Sequence, residues 1–272
     1  MKKLSPMRKI ASVDTISTDC ITYIGNGEAL EAQWVSDESS DDTEDDAKDH
    51  IITTNITTYE LFTQPRNTQK VLDDPAIEAE RWLIEQAALA FTQLENEAFI
   101  TGNAENKSHG ILKYNDCYTD QICKITSSTA CKTTAEDILQ LHYSLLREFS
   151  VNCTFLMNSA SIQIVRGLKY EQTEHYMFQP SLRSGEPDTL MGIAVVECAE
   201  MPIIPTKSAT PRPCPIMFGD FRRSYQIINR NEMRVLGDPY SVKPYISFYI
   251  TKRVGGEVIN PNAFALLEMK AS

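Results

Sequence analysis

Between Asp73 and Gly102 the chain carries the marks of one long helix, and whatever else it folds into must be built around that rod. Asp73 and Asp74 precede Pro75, an N-cap candidate followed by proline at the first helical position, and acids there suit the positive end of the helix dipole. Ile77, Ile84, Ala87, Phe91, Leu94 and Ala98 then recur at three-four spacing, which draws one apolar stripe, and Gly102 supplies the stop. The pattern predicts a helix of about 28 residues, about 40 Å long at roughly 1.5 Å per residue. That length fits either a strut or an ordinary buried core helix.

Two strand-like runs lie ahead of it. Residues 20–36 carry Ile, Tyr, Leu and Trp with a turn signal at Gly25-Asn26-Gly27, and residues 51–62 are rich in β-branched and aromatic types. They read as the arms of a long hairpin. The gap from Asp37 to Asp49 holds eight acids, among them Asp41, Asp42, Glu44, Asp45 and Asp46, and a single lysine, Lys48. Such a segment buries no core and is expected as a solvated tip. A calcium loop is the sharper reading, but the segment has neither the central glycine nor the closing glutamate of that pattern.

Beyond the rod the chain mixes helices and strands. Thr133 or Thr134 with Glu136 or Asp137 opens a helix whose Ile138, Leu141, Leu145 and Phe149 share a face. A strand is expected from Cys153 to Met157, then a helix-like stretch from Ser159, a polar loop at Ser184-Gly185-Glu186-Pro187, a strand around 192–199 and a proline-punctuated region. Near the end, Ile246, Phe248 and Ile250 alternate with Tyr245, Ser247 and Tyr249, the mark of a half-buried strand. The class is α+β.

Chemistry is conspicuous by its absence. His50, His109, His142 and His175 show no HExxH spacing, and no two of the seven cysteines stand in a CxxC pair. No GxSxG elbow or Walker-type loop occurs, and the pairs Gly25/Gly27 and Gly255/Gly256 read as turns or bulges. No catalytic, cofactor or metal site is expected, and the chain is not expected to be an enzyme. A cysteine-histidine hydrolase stays formally open, because such partners meet in space rather than in sequence. No apolar run is long enough to span a membrane or to serve as a signal peptide, which predicts a soluble, intracellular protein with mostly reduced thiols. A formal net charge of -11 argues against a general nucleic-acid binder, though not against a shell that surrounds DNA without gripping it.

Specific strings carry more. LDDPAIEAERWLIEQAALAFTQLENEAFITGNAENKSHGIL resembles the spine-helix region of Hong Kong 97-type tailed-phage major capsid proteins. FLMNSASIQIVRGLKY followed by FQPSLRSGEPDTLMGIAVVECAEMP resembles their axial-domain segment, with Ala194 where many members have proline. The run from PIMFGD to NPNAFALLEMK resembles their C-terminal part, including FGD, DPY and RVGGxVxNPxAF. The likeness covers most of residues 50–272 and runs best to prophage and gene-transfer-agent members.

The resemblance implies a structural, self-assembling subunit with an N-terminal arm at 1–18, an extended hairpin loop at 19–64 and a peripheral domain with the spine helix at 65–118. An axial domain at 119–224 and closing strands at 225–272 complete it. Implied partners are further copies of the chain in the pentamers and hexamers of an icosahedral virion capsid, then portal, scaffold and protease proteins during assembly in the host cytoplasm. Packaged DNA would be met without sequence-specific contact, and no membrane is involved. An encapsulin-like nanocompartment shares the fold and is the alternative; a soluble enzyme on the α+β domain is the more distant one. In the crosslinking lineage of the family a loop lysine attacks an asparagine, assisted by a glutamate; those two places fall here on Pro244 and Thr251, so noncovalent contacts are expected instead. Family members often begin with a long scaffolding segment, whereas arm-like sequence starts here within ten residues, so the scaffold is either a separate protein or lost by truncation. The acidic tip stays solvated or meets Arg222, Arg223, Arg230 and Arg234 of a neighbouring subunit, since close like charges cost about 1 kcal/mol per pair at roughly 4 Å even in water.

Overall fold

The computed structural model describes residues 5–26, 51–68, 79–117, 122–169, 175–181, 183, 185–205 and 212–270. It opens with a short helix α1 (Pro6–Ile10), whose N-cap Ser5 accepts from the Arg8 amide, then strand β1 (Ser12–Ile16). Strands β2 (Cys20–Asn26) and β3 (Ile51–Thr57) pair antiparallel, from Cys20 opposite Thr57 to Asn26 opposite Ile51. The expected hairpin arms therefore pair, but Gly25 and Asn26 continue the strand instead of turning, because cross-strand partners Ile52 and Ile51 extend the ladder past them. The acidic segment with Asp41, Asp42, Glu44, Asp45 and Asp46 lies outside the described residues, as does the expected helix start at Asp73 to Pro75.

After Thr58 the chain leaves the ribbon. Strands β4 (Tyr59–Thr63) and β5 (Arg66–Thr68) both join a later strand, and the long helix α2 runs over Ala79–Thr101. Its end is where Gly102 predicts it. Gly102 donates to Ala98 O, and Gly110 returns the chain by donating to Gly102 O at 3.0 Å. An added Cβ at Gly110 would come within 2.4 Å of the Gly102 amide, so only glycine allows this crossing. The buried ladder of α2 is Leu83, Ala87, Phe91, Glu95 and Phe99, a strict four-residue repeat. Ile84 only flanks it and Leu94 is 49% exposed, which corrects the expected stripe by about one position. A straight helix drifts slightly against any integer spacing, so sequence alone leaves the choice between adjacent ridges to the partner surface.

Helix α3 (Ile111–Cys117), strand β6 (Cys123–Thr126) and helix α4 (Ala135–Tyr143) follow. Thr134 and Asp137 form a capping box at the start of α4, each side chain bonding the other's backbone. The helix stops at Tyr143, short of the expected Phe149, because Leu146 turns extended and a single 3-10 turn holds Arg147–Phe149. Ile138 and Leu141 are buried and Leu145 packs beside them. Then come β7 (Thr154–Met157), α5 (Ser159–Arg166) capped by Asn158, β8 (Phe178–Gln179), β9 (Thr189–Leu190), β10 (Ile193–Glu197), β11 (Ile216–Gly219) and α6 (Phe221–Ser224). Two fourteen-residue strands, β12 (Tyr225–Asp238) and β13 (Tyr245–Val258), and a last strand β14 (Phe264–Glu268) finish the chain.

Among the described residues these strands make a sheet of order β1-β12-β13-β4 with β5 also on β13, a sheet of order β6-β14-β11-β7-β10-β9-β8, and the β2-β3 ribbon. The second sheet has both faces covered, so β11 is buried at every position and reads as a continuous apolar run. One core, with Phe99, Tyr225, Met217 and Phe264, joins this sheet to the end of α2; a second, with Ile138, Phe155 and Phe218, lies under α4 and α5. A third packs α2 on β13 through Leu83, Ala87 and Phe91 against Phe248 and Ile250. Each such fully buried side chain contributes about 1.5–3 kcal/mol. On β13 Ile246, Phe248 and Ile250 face α2 as expected and Tyr245 and Tyr249 are exposed opposite them, but Ser247 is fully buried, so the strand is not half-buried at every step. Gly255 and Gly256 do not form a turn or bulge. They lie in regular pairing with Ile228 and Ile227, and an added Cβ would meet Thr57 O at 2.5 Å or the Tyr225 hydroxyl at 2.5 Å.

Candidate assembly interface

The sheet that carries β13 has two faces, and alternation along one strand gives them opposite contents. Phe248, Ile250, Lys252 and Val254 point toward α2 or the core behind it. Tyr249, Thr251 and Arg253 belong to the outer face. Register sets Arg253 directly opposite Arg230 on β12 and Glu60 on β4. Two arginines opposite one another repel. Asp19, at the foot of the ribbon, relieves this: its Oδ1 accepts from Arg253 Nη1 at 3.0 Å and from Arg230 Nη1. Glu60 Oε2 takes the Arg253 Nε at 3.0 Å, and this bond is the leading cause of the raised Arg253 pKa.

Beside these pairs the β12-β13 register shifts between Arg230 and Arg234, where Asn231 adopts φ 57°. The irregularity opens a pocket of about 240 Å³ lined by Glu60, Arg230, Arg234, Thr251 and Arg253. Among the described residues the ion pairs here engage Arg230 and Arg253, leaving Arg234 exposed at its edge. Of the four candidate arginines, Arg230 and Arg234 line this one pocket. Arg222 and Arg223 sit apart on α6, where the Arg222 amide donates to Asp220 Oδ1 at 3.1 Å and Arg223 Nε lies 3.8 Å from Asp220 Oδ2. Arg253, Glu60 and Asp19 were missed; only cross-strand register reveals them. An exposed apolar strip continues the same face, with Phe62 at 65% and Leu236 at 63% exposure and Phe62 against Tyr249 at 6.1 Å.

The inner face holds a second charged group that sequence reading also missed. Glu95 is buried in the α2 ladder and accepts from Arg8 Nε at 2.9 Å and from Lys252 Nζ. Arg8 also reaches Asn229 Oδ1 at 2.9 Å and lies over the Phe99 ring. The signal available was an acid in phase with an apolar ladder. At the far end of α2, His109 Nδ1 lies 2.7 Å from Glu257 Oε1, and the Tyr225 hydroxyl donates to His109 O at 2.7 Å. Glu257 raises the His109 pKa. Burial pushes the Cys198 thiol up to about 12 and the Cys153 thiol up to about 11, so both stay protonated at neutral pH and are poor nucleophiles. Among the described residues no group of three or more His, Cys, Asp or Glu side chains is placed to hold a metal ion, and no helix is long and apolar enough to cross a membrane.

The chain thus presents a covered core, a helix-backed sheet with a charged outer face and a two-stranded ribbon. The profile of the phage capsid family matches residues 1–269. The chain belongs to that family. The capsid of a native GTA particle is 31% identical over 98% of this chain and 90% of that one, with a TM-score of 0.81; the capsid of the empty GTA particle gives 28%, 100%, 91% and 0.84. A chain of Mycobacterium phage Adephagia, 14% identical over 98% of this chain and 91% of its own, has the same fold at a TM-score of 0.64. So does the holo-SrpI encapsulin of Synechococcus elongatus PCC 7942, at 12% identity, 98% and 89% coverage and a TM-score of 0.66. No curated protein matches. The phage capsid chain described here is therefore a major capsid protein of the Hong Kong 97-type fold, a structural subunit of a virion shell.

Proposed function

We propose that this capsid protein forms the pentamers and hexamers of a closed icosahedral shell that encloses DNA, using noncovalent contacts alone and no catalytic chemistry of its own. The observation that carries the reading is the β2-β3 ribbon. It is two strands with Ile24 at 72% exposure, and an isolated two-stranded ribbon is marginal in water. A neighbouring subunit supplies the burial it lacks. On this reading residues 19–64 are the extended loop, 65–118 the peripheral domain, 119–224 the axial domain and 225–272 the strands that close both. Asp41, Asp42, Glu44, Asp45 and Asp46 of one subunit then meet Arg230 and Arg234 of the next, where Arg234 gives the pocket an exposed cation. Arg222 and Arg223 on α6, which do not line that pocket, are the other candidate partners of the acidic tip. Portal, scaffold and protease proteins act with the subunit during assembly in the host cytoplasm, and the acidic net charge keeps contact with DNA weak and independent of sequence.

Electron microscopy of concentrated purified protein tests this: rings, sheets or shells containing nuclease-protected DNA when produced with the packaging proteins are expected, and a strict monomer under all conditions would overturn it. Boiled particles run as single subunits on a denaturing gel; a covalent ladder surviving reductant would refute the noncovalent shell. Exchange of the five loop acids for Asn and Gln removes the salt dependence of assembly near 0.15 M, where the Debye length is about 8 Å. Identical salt curves for both proteins would exclude the arginine docking while leaving the shell itself standing. The encapsulin reading rests on fold alone, at 12% identity against 31% for the native GTA capsid.

A further inference from the structure

Three large apolar side chains stand in solvent within one short segment at the end of α4: Tyr143 at 77%, Leu146 at 60% and Val151 at 83% exposure. The inward positions there are already taken, since Leu141 is fully buried and Leu145 packs beside it in the core under α4. The segment is held firmly all the same. Ser144 Oγ donates to Leu141 O at 2.8 Å, and the 3-10 turn Arg147–Phe149 is closed by the Phe149 amide donating to Leu146 O at 3.0 Å. Ser150 Oγ and Cys153 Sγ then donate to Arg147 O at 2.8 Å and to Phe149 O at 2.9 Å. A surface ordered before contact loses little conformational freedom on docking. Arg147 and Glu148 are both exposed on this turn, and among the described residues neither enters an ion pair. Successive residues of a 3-10 turn lie about 120° apart around its axis, so the two charges are directed to different flanks and do not pair with each other.

We propose, resting on the shell reading above, that this turn joins neighbouring copies of the chain around one pentamer or hexamer: Tyr143, Leu146 and Val151 of one copy pack on those of the next, and Arg147 of one meets Glu148 of the next. Charge complementarity selects a second copy as the occupant. A positive and a negative flank on one turn match, head to tail, the flanks of an identical turn rotated about a symmetry axis, and a contact of that kind closes into a ring. Each copy then uses both flanks, and no charge is left over. A partner carrying a single sign of charge would satisfy only one of them. The apolar trio supplies the area, because an exposed apolar patch rimmed by polar groups is where proteins meet, and tyrosine is among the residue types such contacts favour. This contact uses none of the residues of the Arg230 and Arg234 pocket, so it is separable from docking of the acidic tip.

The test is native mass spectrometry of the full-length subunit over a concentration series. Unaltered protein gives pentamers and hexamers. Arg147→Glu and Glu148→Arg each raise the concentration needed for rings severalfold, because like charges then face each other across every contact, and the double exchange Arg147→Glu/Glu148→Arg brings it back to the unaltered value. Leu146→Ser/Val151→Ser also raises it, with no rescue by the charge exchange. All four positions are exposed, so the variants fold. Rings of unchanged stability in either single reversal or in the serine variant, or a double exchange that fails to restore them, would overturn this contact while leaving the shell reading standing. Unaltered protein that gives two-copy species alone, or no assembly at any concentration, would overturn both.

Discussion

Lys252 and Arg253 are neighbours on β13, one pointing to each face of the sheet, and the two faces treat charge in opposite ways. On the inner face Lys252 meets Glu95 and Arg8, with side-chain exposures of 7%, 1% and 4%. Burial is the main influence on Lys252 and lowers its pKa, against the pull of Glu95. On the outer face Arg253 meets Glu60 and Asp19 at exposures of 42%, 39% and 63%, and its pKa rises through the Glu60 bond. Buried charges hold each other because none can be removed without stranding the rest; exposed charges remain free to trade partners for solvent or for another subunit. The inner cluster therefore serves to fix α1, α2 and β13 in one arrangement, and the outer one stays accessible to solvent.

The largest expected effect breaks the inner cluster. Glu95→Gln keeps the shape of the side chain but removes the carboxylate that Arg8 and Lys252 share in the buried core, and chemical denaturation should find the subunit less stable by about 3–5 kcal/mol. Replacing all three by Met, Leu and Met sharpens the contrast, because an apolar set of similar volume is expected to be neutral or more stable by up to about 4 kcal/mol. A large loss in the triple variant would mean that the pairing itself, and not the stranded charge, carries the stability.

The His109–Glu257 pair lies between the extremes, with side-chain exposures of 4% and 15%. Its folded pKa is raised above the ordinary 6.5, chiefly by the Glu257 hydrogen bond with burial working against it. A histidine shifted upward stabilises the fold fully below its unfolded pKa, and that stabilisation is lost as pH rises through the folded value. Denaturation midpoints measured from pH 6 upward should fall across that window in the native protein and stay flatter in His109→Gln. Parallel profiles would remove the pair from the pH response.

The smallest effect belongs to the outer face. Asp19→Asn, which takes one carboxylate from Arg230 and Arg253 while leaving Arg253 on Glu60, should shift the unfolding midpoint far less than Glu95→Gln, with the shift vanishing at about 0.5 M salt where the Debye length is a few ångströms. An effect on stability equal to that of Glu95→Gln would erase the distinction between the two faces.

Much of this architecture was legible beforehand. The stop of α2 at Gly102, the Thr134–Asp137 capping box, the strand at 154–157 and the alternation on β13 all follow from signals that act over four residues or fewer. Where reading failed, a distant partner had the casting vote. The turn expected at Gly25 became strand because Ile52 pairs with it, and Gly255 and Gly256 proved to be places where Thr57 and Tyr225 come too close for a side chain. Of the candidate contacts, Arg230 and Arg234 share a face by the period of the strand, and the register shift between them sets them opposite Arg253 and Thr251 at one pocket.

By itself, then, the order of residues determined most of the helices and strands, the apolar face of β13 and, through specific strings, the capsid family, because propensity, capping and periodicity are properties of neighbouring residues. Tertiary structure alone decided the charge pairings. Glu95 lies 87 residues from Arg8 and 157 from Lys252, and Asp19 lies 211 from Arg230. No local rule acts over such distances; those groups meet because burial of Leu83, Phe91 and Phe99 sets the rotation of α2 on β13, and ladder hydrogen bonds then leave each remaining side chain a single face to occupy.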